Sequence, residues 1–121
     1  MAWGSVSIAA QPSGNRVPVV LNLVGDDGLS LTLRSELESG LRSDGHLRLA
    51  TAEDQRAIII QTDSNVDWDK LDGRDAAVVI AYVFSKDEQR GSPVVAACWT
   101  NDIRKCAREV IRVAQIRALL R

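Results

Sequence analysis

Pro93-Val94-Val95-Ala96-Ala97-Cys98-Trp99, running through Thr100-Asn101 into residues 102–120, reads as a buried strand that delivers the chain into an amphipathic helix. In the second part Ile103, Cys106, Ala107, Val110, Ile111, Ala114 and Ala118 fall on one face by the i, i+3, i+4 rule. Arg104, Lys105, Arg108, Arg112 and Gln115 fall on the other, and Thr100 or Asn101 is the expected N-cap. A strand turning into a helix at the end of a chain fixes a mixed α and β architecture, and the elements upstream show how the two are layered.

Working back, residues 76–85 and 93–99 are apolar strands joined by Lys86-Asp87-Glu88-Gln89-Arg90-Gly91-Ser92, a polar hairpin loop with a glycine. Residues 57–62, Ala-Ile-Ile-Ile-Gln-Thr, are too short and too β-branched for a helix and read as a strand. Residues 46–50 alternate polar and apolar, a short strand with one wet face. Leu29, Leu33, Leu37 and Leu41 recur every four residues and define one stripe of a helix, with Asp27 as its cap and Gly40 or Ser43-Asp44-Gly45 as its stop. Residues 17–24 form the first strand, with Pro18 near its start, where a missing donor is tolerated. The acidic stretch 63–75 has no period and is expected to be an irregular connection, pinned by Trp68 and Leu71. The order is β-α-β-β-β-β-α, an α+β fold in which a mostly antiparallel sheet of four to five strands carries two helices on one face.

A chain of 121 residues is one domain by size, here residues 17–121. Residues 1–16 mix Gly, Ser, Pro and Gln and read as a flexible lead-in or the remnant of an export signal, since Ala9-Ala10-Gln11 has the small residues of a signal-peptidase site without a basic start. A formal charge of −1 gives no overall pull toward nucleic acid or anionic lipid. The longest apolar run, residues 76–84, is far short of the roughly 20 residues that a membrane-spanning helix needs.

This order, with a Gly-Asp turn after the first strand and a Cys/Trp strand end feeding Ile103-x-x-Cys106-Ala107-x-x-Val110-Ile111, resembles the small exported domains related to the TolB amino-terminal domain and to curli-secretion-type lipoproteins. The resemblance implies a non-enzymatic module that binds other proteins in the bacterial envelope, periplasmic or exported, with a cytoplasmic protein as the alternative. No functional residue of that group maps onto a position here.

The chemistry-bearing residues are few. His46 is the one histidine, which removes most imidazole-based catalysis, and no cofactor or metal site is expected. Asp63-x-Asn65-x-Asp67-x-Asp69 has the alternating oxygen donors of a calcium loop, but Trp68 stands where the sharp turn needs Gly and Arg74 where a bidentate Glu belongs. Asp26 and Asp27 pair two carboxylates at a strand-to-helix turn, either as acid and base or as a turn residue and a cap. Cys98 and Cys106 are placed so that a tight strand-to-helix corner brings them within bridging range; the alternative is two small core thiols.

Two surfaces are expected to matter. In residues 76–85 the apolar residues occupy both faces, Val79, Ala81 and Val83 one way and Ile80, Tyr82 and Phe84 the other. Two helices cover one face only, so the other is a candidate surface for a protein partner, for self-association, or for the lead-in folding back. Residues 102–121 carry a net charge of about +4 against about −5 for the remainder. The basic face of Arg104, Lys105, Arg108 and Arg112 is the lesser candidate, a nucleic-acid surface that lacks an aromatic residue to stack on bases.

Overall fold

The computed structural model describes residues 16–120, so the expected lead-in of residues 1–16 lies outside that range except for Arg16. Strand β1 (Val17–Leu23) leads to helix α1 (Gly28–Arg42) and strands β2 (Leu47–Leu49), β3 (Ile58–Thr62), β4 (Asp67–Leu71), β5 (Arg74–Ser85) and β6 (Val94–Trp99), then a 3-10 turn (Thr100–Asp102) and helix α2 (Ile103–Leu119). The sequence-derived order holds, with one strand added.

The added strand is β4, in the stretch whose polar composition predicted an irregular connection. It pairs antiparallel with β5 from Asp67↔Val78 to Leu71↔Arg74 through a two-residue hairpin turn. Asp72 (φ 52°) and Gly73 (φ 78°) both sit in the left-handed region, as a tight hairpin turn of the matching twist requires. All five side chains of β4 are exposed, so no burial period marks the strand.

The sheet is mixed, with three of its five strand pairings antiparallel as expected and two parallel. β1 runs parallel to β2 and to β3, because α1 carries the chain back to the end where β1 began. The three pairings of β5, with β3, β4 and β6, are antiparallel. β2 stops at Leu49, opposite Val19, and β3 starts with Ile58, opposite the same residue. Residues 50–57 therefore only have to cross β1 and need not run back along it. Residues 76–78 of β5 pair with β4 on one edge and with β6 on the other. The step from Gln61 (opposite Tyr82) to Asp67 (opposite Val78) has two residues in excess, so β4 continues the line of β3 after a bulge.

One core lies between the sheet and the two helices. Leu33, Leu37 and Leu41 of α1 and Val110, Ile111 and Ala114 of α2 bury against Val19, Ile58, Ile60 and Val79. Burying side chains of this size contributes about 1.5–3 kcal/mol each, which makes the core the main term holding α1 and α2 to the sheet. Gly40, an expected stop signal, is instead inside α1. A Cβ there would stand 2.5 Å from Ile111 Cδ1, so the glycine allows the two helices their close approach. Helix α2 also starts differently from expectation. Neither Thr100 nor Asn101 caps it; both belong to the 3-10 turn, and Asp102 precedes the helix without a side-chain capping bond.

Candidate functional site

Strand parity decides which apolar face of the sheet is covered. Cys98 of β6 and Cys106 of α2 are joined by a disulfide with Cα atoms 5.7 Å apart, which settles the choice between a bridge and two core thiols. Because Cys98 points toward α2, so do Ala96 and, by register, Ala77, Val79 and Ala81. Val79, Ala81 and Val83 are accordingly buried beneath the helices. Ile80, Tyr82 and Phe84 lie on the opposite, helix-free face.

Across that face the register aligns the side chains in rows. Val20, Ile59 and Phe84 lie side by side, then Asn22, Gln61 and Tyr82, then Ile80 beside Val95, and then Val78 between Asp67 and Ala97. Phe84 is buried among its neighbours, but Val20 is 39% exposed, Ile80 41% and Val95 63%. The other two aromatic rings of this face, Tyr82 and Trp99, are covered by cations. Arg90 lies over Tyr82 at 3.9 Å from the ring centre, and Arg74 over Trp99 at 3.8 Å. Arg90 also binds Asp63 at 2.8 Å. Bonds from Gln61 and then Arg90 hold the Asp63 carboxyl below its ordinary range. What remains uncovered is branched-aliphatic, Val20 toward one end of the face and Ile80 beside Val95 toward the other, with the row of Asn22, Gln61 and Tyr82 between them.

The paired-carboxylate reading resolves into a cap. Asp27 accepts from the Ser30 amide at 2.8 Å, and Ser30, through its side chain first and then this amide, holds the Asp27 carboxyl below the usual range. Asp26 contributes its amide, donating to Asn65 Oδ1 at 2.9 Å. Ser30 Oγ donates to the same Asn65 oxygen at 3.3 Å and accepts from the Val66 amide at 2.9 Å, tying the bulge after β3 to the start of α1. Gly25, with φ 153°, is needed here, since a Cβ would meet Ser30 at 2.8 Å. The alternating Asp63, Asn65, Asp67 and Asp69 thus divide between this bulge and β4. Among the described residues no three His, Cys, Asp or Glu side chains are grouped to hold a metal.

The basic helix face is not uniformly positive. Arg104 reaches Glu36 of α1 at 3.4 Å, and Arg112 reaches Glu109 at 3.1 Å. The groove between the helices holds Arg104, Arg108 and Arg112 together with Glu36 and Asp44, and Gln115 donates to Asp44 at 2.5 Å. Lys105 is exposed outside that groove. At the far end of α2, Arg117 pairs with Glu88 of the β5–β6 loop. His46 is exposed, just before β2.

Sequence reasoning missed Asn65 as the link between the bulge and α1, and it missed the two arginine–aromatic pairs. Only strand register reveals the pairs, but the Asp72-Gly73 dipeptide was an available signal for β4.

No protein-family model matches the chain, and no curated protein matches it in sequence. Among solved structures it is similar to a minor lipoprotein from Acinetobacter baumannii, with a TM-score of 0.51 and 12% identity over 82% of this chain and 90% of that one. At that identity the likeness is one of fold. Among the described residues no helix is long and apolar enough to cross a membrane. The chain thus shares its α+β fold with a bacterial lipoprotein, and its own strand-to-helix corner is joined by a disulfide.

Proposed function

We propose that this chain is a non-catalytic docking module of the bacterial envelope that engages protein through the helix-free face of its sheet. The observation that carries this reading is the exposure of Val20, Ile80 and Val95 on a face that no element of the described residues covers. Apolar side chains grouped on one open face mark interaction surfaces, whereas scattered ones do not. The disulfide favours an oxidising compartment, and the lipoprotein-like fold and the resemblance to exported TolB-related and curli-secretion-type domains favour the envelope. Absence of catalysis is supported by the use of Asp27 as a cap and by the exposed position of the one histidine.

Hydrophobic-dye fluorescence together with light scattering tests the reading. The folded protein should bind the dye, and the double variant Val20→Lys/Ile80→Lys should lose most of that signal at an unchanged melting temperature. A wild-type protein that binds no dye and stays strictly monomeric up to millimolar concentration would refute it.

A further inference from the structure

We propose that the outer edge of β6 is a self-pairing edge, at which two copies of the chain join antiparallel about a twofold axis into one continuous sheet. This deepens the docking reading and rests on it, naming a second copy of the chain as partner and a backbone edge as the contact.

The edges of the sheet are not equivalent. β6 has one ladder, with β5 from Ala76↔Trp99 to Ala81↔Val94, and no other strand of the described residues pairs with it. A free edge presents a row of amide and carbonyl groups ready to receive another strand, and proteins blunt such edges with charges, proline, bulges or extreme shortness. β2, at the opposite side of the sheet, is three residues long and carries Arg48. β4 carries Asp67, Asp69 and Lys70. β6 has none of these protections, since Val94-Val95-Ala96-Ala97-Cys98-Trp99 is six residues without a charge or a proline.

Its sequence is also compatible with itself. In an antiparallel pair that keeps the helix-covered faces on one side, residues directly opposite must share a face. Placing Ala96 on the axis sets Val94 opposite Cys98 on the covered side and Val95 opposite Ala97 on the open side, so no like charges meet. A twofold contact of this kind closes, because each copy uses the same edge on the other. The Cys98–Cys106 bridge anchors β6 to α2 and holds the strand as a fixed template. Val95, the most exposed of the large apolar side chains in the strands, stands at this edge, and pairing would shelter it.

The test combines light scattering over a concentration series with residue-resolved amide exchange in the full chain. In a free edge strand every second amide points outward and exchanges quickly; in a paired one all are protected. The expected result is a mass that doubles with concentration, protection of consecutive β6 amides in the doubled species, and return of the alternation on dilution. Val95→Lys/Ala97→Lys changes two exposed side chains, places like charges opposite each other, and should raise the dimer dissociation constant at least about tenfold. Exchange in the wild type stands independently if that variant folds poorly. A doubled mass with alternating exchange overturns the edge pairing and assigns the association to the open sheet face. A strict monomer with alternating exchange overturns it and leaves that face for a different protein. A monomer with every β6 amide protected overturns it by assigning the edge to this chain's own residues. Loss of dye binding in the variant at Val20 and Ile80 is a separate readout, since edge pairing leaves those two residues exposed.

Discussion

Reducing the Cys98–Cys106 bridge is the perturbation whose magnitude follows most directly from the structure. The bridge joins residues eight apart in sequence, and closing a loop of that length removes conformational freedom from the unfolded chain worth about 2.5 kcal/mol. Reduction leaves both sulfur atoms in the core, so it isolates the cross-link. The reduced protein should lose about 2.5 kcal/mol, which for a domain of this size lowers the melting temperature by about 10 °C and the urea midpoint by about 1.5 M. The double variant Cys98→Ala/Cys106→Ala should lose about 1 kcal/mol more, because Cys106 is fully buried and its sulfur helps fill the space between α2 and β6. The assay is thermal and urea unfolding with and without a thiol reductant, with thiol titration of each sample. Two thiols titrating in denatured, non-reduced protein would refute the bridge. Two thiols in the reduced sample with an unchanged melting temperature would refute the argument that the bridge acts by constraining the unfolded chain.

Three further outcomes are expected. Arg48 donates to both oxygens of Asp54, at 2.9 and 2.8 Å, and with the Thr51 amide at 2.7 Å it holds that carboxyl far below its ordinary range. A lowered folded-state pKa adds stability above the unfolded value of about 4, and this is lost as the pH falls from there through the folded value. Asp54→Asn should therefore lower stability at neutral pH and flatten its loss on acidification, measured by urea unfolding at pH values on both sides of that range; parallel pH profiles for variant and wild type would contradict this. Gly25→Ala should cost about 2 kcal/mol or more, because the new Cβ meets Ser30 in a backbone conformation that side chains disfavour. Gly28→Ala, with nothing within 4 Å of the new atom, should change the melting temperature little.

Residues that announce their burial were legible in the sequence. Leu33, Leu37 and Leu41 on one helix, and Ile103, Cys106, Val110 and Ala114 on the other, carry the helical period and lie where that period puts them. β4 has no such signature, because its five exposed side chains answer to solvent; only its turn, Asp72-Gly73, encodes it. The apolar character of both faces of β5 was readable from its unbroken run. Which face the helices cover was not, because one residue of slip in the strand-to-helix corner would exchange them. The bridge decides the parity, and it depends on a Cα separation at a corner that no spacing rule specifies. The cap at Asp27 was expected from its position before the leucine stripe. Its tie through Ser30 to Asn65 was hidden by a sequence gap of more than thirty residues.

The excess residues between β3 and β4 have a consequence for how the fold tolerates change. The bulge keeps Asn65 and Val66 fastened to the first turn of α1, while beyond it the backbone runs out along β5 to the tip at Asp72 and Gly73, with every β4 side chain in solvent. Length added at that tip meets no packed layer, so the protein can present an inserted peptide there while the ties on the near side of the bulge hold the body in place.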